Sequence, residues 1–137
     1  MDKILIDSDI IIDYFYNRIP FSKDASKILN LCAIKKADGF ITPLIIANVY
    51  YILRKTTKHE TLISNLKRLL NYISIINMNQ KIVMQALNSD FKDFEDALQN
   101  YAVENTEIKI IITRNLKDYK KSKLSVYTPE SFLKTLN

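Results

Sequence analysis

A run of three apolar residues, Ile4, Leu5 and Ile6, stops abruptly at Asp7, and further aspartates follow at Asp9 and Asp13. No other stretch constrains the fold as strongly. An apolar run this short, broken by a polar residue, reads as a strand buried on both faces, the habit of parallel sheets. A parallel strand needs a crossover, usually a helix, and Ile10 to Tyr16 begins one. Open α/β sheets bind ligands beyond the carboxyl ends of their strands, which is where Asp7 stands. Like charges clustered there repel one another and add little to stability. The first expectation is therefore an acidic, metal-binding active site whose other walls come from later in the chain.

The same alternation continues. Ser22 is a plausible N-cap for a helix with Ala25, Ile28, Leu29, Leu31 and Cys32 on its apolar face. Asp38 to Thr42 reads as a turn and a short strand. Thr42-Pro43 starts a helix, Thr capping and Pro at the first position, that runs to about Lys55. A helix from about Glu60 to Tyr72, a strand over Ile73–Asn77 and a helix over Gln80–Leu87 follow. Next come a helix over Asp93–Asn105 and the β-branched strand Glu107–Thr113. Leu124–Tyr127 is a last strand, and Thr128-Pro129 repeats the helix-start pattern. The expected fold is a three-layer α/β/α sandwich, one domain over residues 1–137, with a mostly parallel sheet of about five strands.

Composition removes several chemistries. Cys32 is the only cysteine and His59 the only histidine, which excludes a disulfide framework, a CxxC site, a His-rich zinc site and a histidine pair for acid–base cleavage of RNA. His59 is expected to be a solvated surface residue. One glycine, Gly39, is too few for a phosphate-cradling glycine loop. No secretory segment or membrane-spanning run is present, so the expected location is the cytoplasm. The net charge of +5 suits a polyanionic partner without requiring one.

Four polar insertions fall at the expected carboxyl edge. Asp7 with Asp9 is the first, and either residue also fits a helix N-cap. In the helix from Thr42, Asn48 falls inside a stripe of Ile45, Val49 and Ile52, which makes it either a core amide with a hydrogen-bond partner or an amide facing the site. In the third, Asp93, Asp96 and Asn100 share a face. Capping by Asp93 explains two acids there but not Glu95. The fourth, Thr113-Arg114-Asn115-Leu116-Lys117-Asp118-Tyr119, also reads as a turn. Carboxylates without histidine or cysteine suit Mg²⁺ or Mn²⁺, ions that activate water and clamp phosphate oxygens. Arg54, Lys55, Lys58, Lys67, Arg68, Arg114, Lys117, Lys120 and Lys121 are placed to hold a nucleic-acid backbone beside such an ion.

Taken in order, Ile6–Asp13, Asn48–Lys55, Asp93–Gln99, Thr113–Tyr119 and Tyr127-Thr128-Pro129 resemble the PIN domain family, most closely its VapC-like toxin branch. The resemblance spans nearly the whole chain and rests on the ordered set, since no single piece is specific. It implies a metal-dependent ribonuclease, the toxin of a toxin–antitoxin pair, neutralised by a small cognate antitoxin and often homodimeric. Carried across, the metal-binding and catalytic acids are Asp7, Asp96 and Asp118. Asn115, Asp93 and Glu95 are supporting candidates, with Asn48, Asp9 and Thr113 beside them. Asp13 is expected to be a support or surface residue. Many members carry Glu where this chain has Asn48, which implies weaker metal affinity and raises a catalytically weak RNA- or protein-binding module as an alternative. Asp7-Ser8-Asp9 also fits the opening of haloacid-dehalogenase-type phosphatases, but the later acids open a helix and glycine is nearly absent.

Overall fold

The computed structural model describes residues 1–136. Its sheet comprises β1 (Asp2–Ile6), β2 (Ala37–Ile41), β3 (Ile73–Ile75), β4 (Ile110–Ile112) and β5 (Ser125–Tyr127) in the order β3-β2-β1-β4-β5. Every pairing is parallel. The helices are α1 (Ser8–Tyr16), α2 (Ser22–Ala33), α3 (Pro43–Leu53), α4 (His59–Leu69), α5 (Gln80–Leu87), α6 (Phe94–Glu104) and α7 (Pro129–Lys134), with a 3-10 turn at Leu116–Tyr119.

This is the expected three-layer architecture. The chain steps from β1 to β2 to β3 in one direction, so right-handed crossovers lay α1 to α4 over one face. It then returns through α5 and α6, over the other face, to β4 on the far side of β1. Helix contacts follow that division, with α1 against α2 and α3, α2 against α7, and α5 against α6. Ile4, Leu5 and Ile6 are all fully buried, because helices cover both faces of the central strand. Between β1 and β4 the chain direction across the sheet reverses, and the crevice beyond their carboxyl ends is the topological switch point.

The single glycine sits where β2 passes under α2. A Cβ on Gly39 would lie 2.6 Å from both Cys32 Sγ and Ile73 Cδ1. Gly39→Val is expected to cost roughly 1–3 kcal/mol through overpacking. Urea unfolding measures this, and an unchanged midpoint contradicts the close approach.

Several boundaries differ from expectation for identifiable reasons. Ser22 is not an N-cap: Phe21 holds that position without a side-chain cap, and Ser22 N already donates to Arg18 O at 2.6 Å. The fourth strand is Ile110–Ile112, not Glu107–Thr113, since only those residues pair on both sides. In α3 the buried stripe is Ile45, Val49 and Leu53, whereas Ile52 is half-buried. No helix among the described residues is long and apolar enough to cross a membrane.

Candidate active site

The β1–β4 register pairs Ile6 with Ile112, so the residues that follow, Asp7 and Thr113, emerge side by side. Asp7 N donates to Ile112 O at 3.0 Å, and Thr113 N to Tyr127 O at 2.9 Å, which extends the ladder to the edge itself. Asp7 caps α1, its Oδ1 accepting from Ser8 N at 2.8 Å. Its Oδ2 accepts from Thr113 Oγ1 at 2.9 Å and from Tyr119 Oη at 3.4 Å. Asp7 therefore caps α1 at the carboxyl end of β1, next to Thr113 at the end of β4. Burial pushes its carboxyl above the usual carboxylate range; its donors oppose that, and the charge of Asp118 adds to it.

Asp9 holds the loop after β4. Its Oδ2 accepts from Arg114 N at 3.0 Å, with Thr113 Oγ1 and Asn115 Nδ2 each at 3.5 Å. Its Oδ1 is buried and has no hydrogen-bond partner among the described residues. Desolvation, followed by the charge of Asp7, pushes its carboxyl up to about 7.

Asp13 lies in the interior rather than at the surface: it is fully buried. Arg114 grips it with two bonds, Nε to Oδ2 at 2.7 Å and Nη2 to Oδ1 at 3.1 Å. Arg18 Nη1 lies 3.7 Å from the same carboxylate. The Arg114 fork, expected to hold RNA, is thus occupied within the fold, and its Cζ lies 3.9 Å from the centre of the Phe21 ring.

The first turn of α6 forms the opposite wall. Asp93 caps the helix, accepting from Asp96 N at 3.0 Å. Desolvation pushes Asp96 up to about 7, with Asp93, Asp118, Asp7 and Glu95 adding repulsion in that order. Asn48 is not a core amide: it is partly exposed, and its Nδ2 donates to Glu95 Oε2 at 3.4 Å. One turn deeper, Gln99 is buried and accepts from Thr42 Oγ1 at 2.6 Å, joining the starts of α3 and α6. Asn100 is also buried, accepting from Ser122 Oγ at 2.5 Å. Sequence reading missed Gln99 and Tyr119 as site supports. The i, i+3 spacing of Gln99 from Asp96 was the available signal.

Asp118 is exposed in the 3-10 turn, near enough for its charge to act on both Asp7 and Asp96. Beside it opens a cleft of 430 Å³ lined by Lys92, Lys117, Lys120 and Lys121, with Phe91 and the acids Asp90, Asp93 and Asp118. Arg54 and Lys55 lie past the far end of α3, roughly 16 Å along the helix from the edge. His59 is exposed as expected, its Nδ1 2.9 Å from Tyr50 Oη.

Among the described residues no three acids already surround one point as a closed metal cage. Mg²⁺ does not need one, since it commonly keeps several waters and binds through one or two carboxylates. An all-oxygen donor set, mutual repulsion among the acids and the unpartnered Asp9 Oδ1 all fit a hard divalent cation.

The raised carboxyls have a consequence for stability. A group with folded pKa about 7 and an ordinary value of 3.8 binds its proton more tightly when folded, so its contribution is present at acid pH and is lost as pH rises through about 7. The metal-free protein is therefore expected to melt at progressively lower temperature between about pH 4 and pH 7, and to level off above that. Thermal melts in a chelator check this, and a midpoint that rises over that interval contradicts it.

The sequence profile of the family described as PIN domain matches residues 3–117. No curated protein matches the sequence. Among solved structures, the chain is similar to a toxin–antitoxin complex from Klebsiella pneumoniae, with 24% identity over 92% of this chain and 97% of that one and a TM-score of 0.68. VapBC-1 from nontypeable Haemophilus influenzae superimposes with a TM-score of 0.68 at 14% identity, covering 93% and 98% of the two chains. VapC20 of Mycobacterium tuberculosis, described as a sarcin-ricin loop cleaving toxin, matches with a TM-score of 0.62 at 15% identity over 79% of this chain and 86% of its own. At these identities the structural likenesses speak for the fold.

Proposed function

The chain belongs to the PIN domain family, and on that premise we propose that it is a Mg²⁺- or Mn²⁺-dependent endoribonuclease, the toxin of a toxin–antitoxin pair. What supports this reading is that the charges of Asp7, Asp96 and Asp118 act on one another near the switch point, with Lys92, Lys117, Lys120 and Lys121 lining the cleft beside Asp118. Asp7 and Asp96 are the ligands we assign first, with Asp118 closing the group and Asp93, Glu95 and Asn115 supporting it. A bound divalent ion supplies a Lewis acid and a water of lowered pKa. The chain's own residues do the rest. Thr113 and Tyr119 fix the Asp7 carboxylate, and Asp9 holds the 113–115 loop against it. Lys117, with Lys92, Lys120 and Lys121, draws the RNA backbone into the cleft alongside Asp118. Arg54 and Lys55 are assigned a more distant part of the strand. Arg114 is reassigned from phosphate contact to loop support.

Asn48 adds no charge, but Glu95 at 3.4 Å brings a carboxylate to the same place, which favours an active nuclease over a binding module. Asp9, half-buried and held by Arg114 N, is poorly placed to be the free general acid a dehalogenase-type phosphatase requires. Neutralisation by a small antitoxin, homodimerisation and a cytoplasmic location belong to the same proposal; the toxin–antitoxin complexes among the similar folds support the first. The test is cleavage of single-stranded RNA with Mg²⁺, with Mn²⁺ and with EDTA. Ion-dependent cleavage is expected. RNA binding without cleavage in either ion overturns the nuclease in favour of the module.

A further inference from the structure

On the α2 and α7 side of the acids lies a second cleft, of 560 Å³, which the proposed cleavage does not use. That volume is in the range of small-ligand sites. Pro20 and Phe21 before α2, Pro129 at the start of α7, and Arg114 line it, together with the carboxylates of Asp24 and Glu130. Arg114 joins this cleft to the acidic site, because its backbone N is bonded to Asp9 while its side chain forms part of the cleft wall. Two of its nitrogens are taken by Asp13 and its guanidinium stacks on Phe21, 40% of whose surface remains exposed.

The lining argues against a phosphate, which would meet two carboxylates and an arginine already paired. Flat apolar surfaces and a stacked aromatic–guanidinium pair instead match the face of a base, since unpaired bases stack on such groups. Carboxylates accept hydrogen bonds from an exocyclic amino group, such as cytosine N4, whereas the O4 of uracil is itself an acceptor. Asp24 forms no ion pair among the described residues, and Glu130 pairs only with exposed Lys134 at 3.2 Å.

We propose that this cleft holds one nucleobase of the RNA strand against the Phe21–Arg114 pair and selects bases bearing an amino group on their edge. The proposal rests on the RNA reading above and adds where specificity is set. The test is fluorescence anisotropy with short labelled oligo-C and oligo-U in EDTA, which prevents cleavage. The wild type is expected to bind oligo-C several-fold more tightly than oligo-U. Phe21→Ala should weaken oligo-C binding roughly ten-fold, the scale of one lost base stack, while Phe21→Trp retains it. Asp24→Ala should narrow the difference between the two oligomers. Circular dichroism checks that each variant folds, and the Trp variant together with Asp24→Ala keeps the test decisive if Phe21→Ala does not. Wild-type binding of both oligomers without preference, or binding that Phe21→Ala leaves unchanged, overturns the base cleft alone. No binding of either oligomer, in EDTA or with Ca²⁺ in place of the activating ion, overturns the RNA reading as well.

Discussion

Asp96→Asn is expected to lower RNA cleavage by roughly 100-fold or more while raising the melting temperature of the metal-free protein near pH 8. The loss follows from removing a charged oxygen donor from the assigned metal ligands. The gain follows from the same charge, because Asp93, Asp118, Asp7 and Glu95 all oppose ionisation of Asp96. Among the described residues the Asp96 side chain accepts no hydrogen bond, so an amide of the same shape removes repulsion and leaves no donor orphaned. Opposite signs for activity and stability are the mark of a site strained for function. Paired cleavage assays and thermal melts measure both. A variant that is less active and also less stable would make Asp96 a structural residue instead.

Arg114→Met is expected to destabilise the fold by about 3 kcal/mol, because it strands the buried Asp13 carboxylate with only Arg18 at 3.7 Å nearby. In a domain of this size that corresponds to a fall in melting temperature of roughly 10 °C. The variant also removes the stack on Phe21 and leaves the 114 backbone bond to Asp9 in place, so the loss belongs to the ion pair and its packing. The double variant Asp13→Leu/Arg114→Met is expected to recover much of the loss, since no buried charge is then left alone. A double variant less stable than Arg114→Met would show that the pair adds net stability instead of merely being costly to break.

Where local chemistry specifies structure, the sequence was readable. The apolar run ending at Asp7 announced a central parallel strand whose carboxyl end stands at the switch point. Thr42-Pro43 and Thr128-Pro129 announced helix starts, and in the fold both threonines cap the helices that follow them. Asp93 likewise caps α6. What stayed hidden depended on partners distant in the chain. Asp13 looks like a helix-surface acid until Arg114, 101 residues away, is seen gripping it. Asn48 looked buried because neighbouring helix positions differ by only 100° and the stripe runs through Leu53 rather than Ile52. Gln99 and Asn100 are polar residues on a helix that would ordinarily face solvent, and their bonds to Thr42, Ser122 and Glu104 satisfy them where they are buried.

The central claim is that the acids at the β1–β4 switch point hold a divalent cation. Titration of the metal-free protein with Mn²⁺, followed by the loss of free-ion electron paramagnetic resonance signal, tests it without RNA. The expected result is saturable binding near neutral pH that is weakened at least ten-fold by Asp7→Asn and by Asp96→Asn. It should also weaken below about pH 7, where Asp9 and Asp96 take up protons. Failure of the wild type to bind Mn²⁺, or binding that neither substitution alters, would contradict the claim.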